Sequence, residues 1–526
     1  MRYLPRNGAL AAALAIAASS LGGCGVNPVT GKSELQFVSE ASELQMGQEQ
    51  YAPTRQGEGG DLNIDPALTQ YVREVGAKLA AVSDRKLPYE FVVLDSSVPN
   101  AWALPGGKIA VNRGLLPELK NEAELAAVLG HEITHAAARH GAKAQERGTL
   151  LQAGLAVAMI GAAATDTNGT LANLALQGAG AGAQMIQMKY GRDQELEADH
   201  YGMVYMQRAG YDLGAAVSLQ ETFVRLSQGK NQGWLDGLFA SHPPSQERVT
   251  RNQATLAQLG GGKGDLGTER FAAKMAGLRR MKPAFDKYDQ ALALANKKDF
   301  TGARKLAGEA VQMLPREPRF TQLLGDLAMA QKQPGEAVGH YQKAIDLDPG
   351  YFGPYLGGGI AQFKLGNKPR AEEWLKKSSA LLPTAPAAYY LGSIAKERGD
   401  TAGARQLFQA ASGSQSEYGQ LAAGEFQRMD LAQNPAQYLA TAVRLDGAGQ
   451  PVFLLQNRAQ IAITGISITP VVTDAYGNIV QQGATQALRI TLKPGETASV
   501  ASGLAPMSAE QASSIAVRVT AAQPAP

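Results

Sequence analysis

Three prolines set a ruler along the second half of the chain: Pro315, Pro349 and Pro383 lie 34 residues apart. A fixed period of that length marks stacked supersecondary units rather than one closed core. Counting back from Pro349, Gly325, Ala337, Tyr341 and Ala344 hold the small and aromatic positions that let two antiparallel helices pack closely. Gly359, Ala371 and Pro383 recur in step, Ala303, Ala310 and Pro315 give a degenerate earlier copy, and Gly392, Ala404, Phe408 and Ala411 give a later one shifted by a residue. About four copies exceed the roughly three that a stacked core needs. The expectation is a helical solenoid over 271–425.

The full chain of 526 residues is longer than one core organises, so further domains are expected. At the N-terminus, Arg2 and Arg6 precede the apolar run ALAAALAIAASS and then Leu21-Gly22-Gly23-Cys24. That run is too short to span a bilayer and reads as a cleavable export signal over 1–23. Cys24 is the single cysteine, which leaves no internal disulfide to form. Residues 24–38, with Pro, Gly and polar side chains, read as a tether. Helical patterns follow at about 39–52 and 65–83, strand candidates at 88–95 and 107–114, and helices over about 117–147 and 191–209. The Ala- and Gly-rich stretch 150–188 reads as a buried helical hairpin, and Gly260-Gly261-Gly262-Lys263-Gly264 marks a linker over 260–270. After about residue 430 the apolar period becomes alternating, which predicts a small all-β, sandwich-like domain over 430–526. The fold class is therefore multidomain, with a mainly α region carrying a small sheet over 39–259, then the solenoid, then the β domain. With 50 basic against 47 acidic residues and no basic run, nothing points to a nucleic-acid partner.

The chemistry lies in LGHEITHAAARH. His131 and His135 are four residues apart on one helix, so both imidazoles leave the same face and can meet one ion. A catalytic zinc takes three protein ligands and leaves a fourth position for water. The third ligand is sought in RDQELEADHYG, where Glu195 and Asp199 share a helix face while Glu197 is rotated by about 200° and reads as a solvated charge. Glu195 is the expected ligand, Asp199 the acceptor for a ligating histidine's other ring N–H, and Glu132 the general base that moves a proton from water to the leaving nitrogen. His140 falls off the ligand face, and His200 and His340 have no evident partner.

LGHEITHAAARH with ELEAD resembles the metallopeptidase family of HtpX and the CAAX prenyl proteases, gluzincins with one zinc ion per chain. The resemblance implies that the run 100–116 lines the cleft, with Lys108, Ile109, Ala110, Val111 and Asn112 as a strand that pairs with an extended substrate along an edge. In SHPPSQER it implies that His242 lies near the metal, either helping the oxyanion or acting as a reversible fourth ligand, and that Arg248 anchors the loop; spacing alone gives a turn histidine. The period of 34 resembles tetratricopeptide repeats, which implies a concave surface for peptides or partner proteins. LGGC resembles a bacterial lipobox with Cys24 as the lipidated residue, and Gly25 after it implies sorting to the outer membrane.

Together these features resemble the periplasmic BepA-like branch of the family over roughly residues 25–425. That resemblance implies a lipid-anchored periplasmic endopeptidase acting on unfolded or misassembled envelope proteins, with repeats that recruit substrate or outer-membrane assembly machinery. The rival is a lipid-anchored chaperone or assembly scaffold with a largely latent site. Prenyl-protein processing inside a membrane is excluded, because the mature chain has no run of about 20 apolar residues.

Overall fold

The computed structural model describes residues 24–148, 190–227, 236–474 and 478–526. The expected signal segment 1–23 and the helical hairpin over 150–188 lie outside them. The chain divides into two compact units, Met1–Gly358 and Gly359–Pro526.

The first unit opens with a small antiparallel hairpin, β1 (Cys24–Val26) and β2 (Ser33–Leu35), in which Cys24 pairs with Leu35. The segment read as a tether, 24–38, makes contacts with the domain that follows. Val29 packs against Ala137 and Ala138, Lys143 pairs with Glu34 at 2.6 Å, and Glu146 Oε1 accepts the amides of Phe37 and Val38. Helices α1 (Glu40–Gly57) and α2 (Pro66–Ala80) are capped by Ser39 and Asp65, whose side chains accept amides of the first turn. Strands β3 (Glu90–Leu94), β4 (Ala101–Leu104) and β5 (Lys108–Asn112) form one sheet with β5 in the middle, parallel to β3 and antiparallel to β4.

Helix α3 (Glu122–Ala137) is buried along its whole length. Its first turn is fixed by Glu122, which accepts from Tyr71, Tyr211 and Arg270, an arrangement that also sets a carboxylate at the positive end of the helix dipole. Around it lie α4 (Arg192–Arg208), α5 (Gly214–Ser227), α6 (Asp236–Ser241) and α7 (Gln246–Gln258).

From Thr268 the chain runs in helical pairs, as the period predicts: α8 (Thr268–Asn296) with α9 (Phe300–Met313), α10 (Pro318–Ala330) with α11 (Pro334–Leu347), and α12 (Phe352–Lys364) with α13 (Lys368–Leu381). Then come α14 (Ala385–Glu397), α15 (Thr401–Ser412) and α16 (Glu417–Asp430). One contact recurs at a spacing of 16 residues. A Cβ on Gly325 would sit 2.9 Å from the Tyr341 ring, one on Gly359 2.7 Å from Leu375, and one on Gly392 2.9 Å from Phe408. Each glycine is therefore the hole that receives the large side chain of the following helix.

In the second unit the repeats are followed by two small antiparallel sheets. One holds β6 (Leu439–Leu445), β7 (Pro451–Asn457) and β11 (Thr497–Ala501); the other is centred on β8 (Ile463–Thr473), paired with β9 (Ile479–Gln482), β10 (Gln486–Ala487) and β12 (Ile515–Pro524). Phe453, Leu455, Ile463, Ile468 and Val517 from both sheets share one core.

Within the first unit the early repeats are not hung on a linker. Phe271, Met275, Leu278, Phe285 and Phe320 belong to the same core as Leu125, Leu129 and Ile133 of α3. Gln56 of α1 donates to Gly350 O at 2.8 Å and accepts from Phe352 N at 2.9 Å. A buried polar cluster crosses the same junction: Asp95 binds Arg113 at 2.7 Å, the Arg113 guanidinium lies over Phe285, and Glu317 caps α10 by accepting Arg319 N at 3.0 Å. Burial, and then the negative charge of Asp95, hold the Glu317 carboxyl well above its ordinary range.

A carboxyl whose folded pKa is raised contributes stability fully below its unfolded value and loses it as pH rises through the folded one. The thermal midpoint should therefore fall through this group as pH rises above the ordinary carboxylate range. Glu317→Gln keeps an acceptor for Arg319 N and should flatten the fall in a circular-dichroism melt; equal slopes in both proteins would refute the assignment.

Candidate metal centre

The centre is made where α3 and α4 cross. Gly130 and Gly202 face each other there, and a Cβ on Gly202 would lie 2.9 Å from His131 N. Only two glycines let the backbones come this close, and the approach carries Glu195 across to the histidines of α3.

His131 Nε2 and His135 Nε2 are 3.0 Å apart. Glu195 reaches them at 3.5 Å and 3.3 Å. His242, from the turn between α6 and α7, brings Nδ1 to 3.2 Å from His131 Nε2 and 3.1 Å from Glu195 Oε1. All four side chains are buried, and their donor atoms lie within 4.8 Å of one another. Ligands at about 2.0–2.1 Å in a tetrahedron are separated by about 3.3 Å, and the contacts of 3.0–3.5 Å among these side chains are of that size. An orphan atom supports the fit: Glu132 Oε2 is buried without a hydrogen-bond partner beside the cluster, and His242 Nε2 is likewise unpartnered, 3.5 Å from Glu132 Oε1.

Outside the donor set, His131 Nδ1 is 2.9 Å from Asp199 Oδ1, and since a carboxylate only accepts, the proton belongs to Nδ1. A metal bound to this ring would then meet the lone pair of Nε2, which faces the cluster. Arg248 grips Asp199 at 2.7 Å and 2.6 Å and Glu195 at 2.8 Å. This is a bidentate fork on one carboxylate with a third contact to the next. Burial disfavours the charges, but Arg248 outweighs it at Asp199, and His242 and His131 outweigh it at Glu195, so both carboxyls sit below their usual range. Against its own burial His131 is pushed up to about 10, chiefly by Glu195, whereas burial drives His135 well below its ordinary value. Burial also raises Glu132, the polarity a proton acceptor in a dry site needs. An apolar recess lined by Ala101, Leu115, Val128, Met203, Leu219 and Phe223 opens beside Glu132.

His131, His135, Glu195, Glu132, Asp199, His242 and Arg248 thus meet in one place. The strand Lys108–Asn112 does not do what the family resemblance implies. β5 is hydrogen-bonded on both sides and buried at every residue, so it has no edge to offer a peptide, and Lys108 is tied to Glu90. The outer position next to the centre belongs to β4, Ala101–Leu104, whose Ala103 carbonyl accepts from the Tyr190 hydroxyl at 3.1 Å. Cys24 stands at the head of β1.

Three residues escaped the sequence reading. Tyr190 stacks on His135 with ring centroids 3.7 Å apart. His140 and Glu197, expected to be idle, are joined to each other at 3.2 Å and to His135 through His140 Nδ1 at 2.8 Å. The helix extrapolation failed because α3 ends at Ala137 and Arg139 takes φ 63°, which turns His140 back against His135. Tyr190 could have been suspected from its place just before the α4 carboxylates; nothing in the sequence marks the turn at Arg139.

The glycine crossing makes a direct prediction. Gly202→Ala forces α4 away from α3, and overpacking of this kind costs about 1–3 kcal/mol. Denaturant unfolding should show that loss, and chelator competition should show weakened zinc binding; a variant neutral in both would mean the crossing does not set the centre.

Comparison with known proteins agrees with the geometry. Residues 66–255 match Peptidase family M48, and residues 288–352 and 328–396 match tetratricopeptide repeat families. The chain is similar to the beta-barrel assembly-enhancing protease of Yersinia pestis, 29% identical over 54% of this chain and 63% of the relative. The relative of that name in Escherichia coli (strain K12) is 27% identical over 61% and 70%. The mitochondrial metalloendopeptidase OMA1 of Schizosaccharomyces pombe is 33% identical over 44% and 66%. The chain spans a little under two thirds of the Yersinia relative's length. The buried histidine–glutamate cluster thus lies inside the segment that matches Peptidase family M48, residues 66–255, and the tetratricopeptide-repeat matches lie behind that segment.

Proposed function

We propose that the protein is a zinc-dependent endopeptidase of the bacterial envelope that hydrolyses misfolded or misassembled envelope and outer-membrane proteins. The observation that carries the reading is a close set of four buried donors with an unpartnered carboxylate oxygen of Glu132 beside it. His131, His135 and Glu195 would hold one zinc ion, which when bound supplies Lewis-acid polarisation of the scissile carbonyl.

The other steps belong to this chain's own side chains. Glu132 takes the proton of the attacking water and delivers it to the leaving nitrogen. Asp199 fixes the tautomer of His131, and Arg248 fixes Asp199 and Glu195. The outer edge of β4 would receive the substrate backbone, in a mode that tolerates many sequences and suits a protease for misassembled proteins. Relatives named for assembly of β-barrels support the envelope setting, and the repeats are the surface that would recruit substrate or assembly machinery. Cys24 would carry the lipid, with the protein on the periplasmic side of the outer membrane.

One observation favours a second reading. His242 Nδ1 occupies the fourth corner of the donor set, and a closed set of four protein ligands is what structural zinc sites have. In that reading the protein is a lipid-anchored scaffold with a latent site.

Digestion of casein by the zinc-loaded protein, with and without chelator, separates the two. His242→Ala should raise the rate by opening the fourth position, and Glu132→Gln should keep its zinc yet lose about 10²–10⁴-fold in hydrolysis. Absence of cleavage by both the parent and His242→Ala would leave the scaffold, while undiminished cleavage by zinc-loaded Glu132→Gln would remove Glu132 from the mechanism.

A further inference from the structure

We infer that Glu197 and His140 form a hydrogen-bonded chain that fixes the tautomer of His135 and thereby positions it as a metal ligand. The inference rests on the reading of His135 as a zinc ligand.

The chain can be followed atom by atom. His135 presents Nε2 to the cluster, 3.0 Å from His131 Nε2 and 3.3 Å from Glu195 Oε1, so a ligating His135 must keep a lone pair there. Its proton then lies on Nδ1, and the atom 2.8 Å away is His140 Nδ1, which must accept. A neutral His140 that accepts at Nδ1 carries its proton on Nε2, where Glu197 Oε1 stands at 3.2 Å. Each donor has one acceptor and each acceptor one donor, in a single direction from the metal side to the carboxylate. The opposite direction would place a proton on the nitrogen facing the other ligands.

The surroundings hold this geometry in place. His140 is buried, and the turn that delivers it is pinned because Arg139 donates to Glu43 at 2.8 Å while Arg85 binds the same carboxylate at 2.9 Å. Glu197 is in turn approached by Lys143 and Asn27, the latter a buried residue of the N-terminal hairpin. On its other face His135 is stacked on Tyr190, so the ring has one orientation in which both nitrogens are used. His131 has a charged carboxylate directly on its Nδ1; His135 reaches its carboxylate through a neutral imidazole. His140 touches neither Glu132 nor the apolar recess and is a positioning residue.

Chelator competition for zinc is the direct readout, because loss of an outer partner of a ligating histidine typically weakens metal binding by about 10–100-fold. His140→Phe keeps an aromatic ring but offers no acceptor and should show that loss. His140→Asn places an amide oxygen near the position of Nδ1 and should recover most of the affinity, a rescue that a packing role would not produce. Glu197→Ala, at a partly exposed site, should weaken binding in the same direction and serves where His140→Phe fails to fold. The visible absorption of the cobalt(II)-substituted protein should shift in His140→Phe and not in His140→Asn. Parent-like affinity and an unshifted cobalt spectrum in His140→Phe, or parent-like affinity in Glu197→Ala, would overturn the chain while leaving the zinc site standing. A parent protein that binds no zinc would overturn the metal centre itself, and the chain with it.

Discussion

Helix α3 is buried on all sides, and everything ionisable on it must find its partner inside the protein. An isolated charge in such a place costs several kcal/mol even after relaxation. The surrounding elements are arranged around that demand: Tyr71, Tyr211 and Arg270 meet Glu122 at the start, Asp199 and Arg248 answer His131 in the middle, and His140 with Glu197 answers His135 near the end. The two carboxylates of α4 can do this only because Gly202 lets the helices touch. Among the described residues, one oxygen of Glu132 and one nitrogen of His242 remain unanswered beside the donor set.

The parts of this arrangement that follow a helical period were legible in the sequence. His131 with His135, and Glu195 with Asp199, are each one turn apart, so a face could be assigned before any coordinates. The repeats were legible for a similar reason, since the small residue and the large one that fills it stand at the same separation in successive copies. Legibility ended where the backbone left its period. Arg139 adopts a left-handed conformation without being glycine, and that one torsion moved His140, and with it Glu197, from bystander to neighbour of the centre. Strand β4 is only four residues long, and the expected edge strand proved to be the middle of its sheet because β4 lies outside it. The N-terminal hairpin has strands of three residues, below what alternation of side chains can signal.

His242 occupies an intermediate position between these cases. Its sequence setting, a histidine before two prolines, says nothing of a metal, and its place near one came only from family resemblance. The coordinates put its Nδ1 at a corner of the donor set and its Nε2 toward Glu132, so a single side chain faces both the ion's site and the base. This ring comes from the bend just after α6, whereas the other three donors stand on α3 and α4.

The core shared by α3 and the first repeats carries a mechanical consequence. Phe271, Met275, Leu278, Phe285 and Phe320 belong to the same hydrophobic cluster as Leu129 and Ile133, which bracket Gly130, His131 and Glu132 along the helix. Close-packed interiors transmit displacement instead of absorbing it. A displacement of α8 would therefore bear on the packing beneath the metal centre, because the first repeats and α3 share one core.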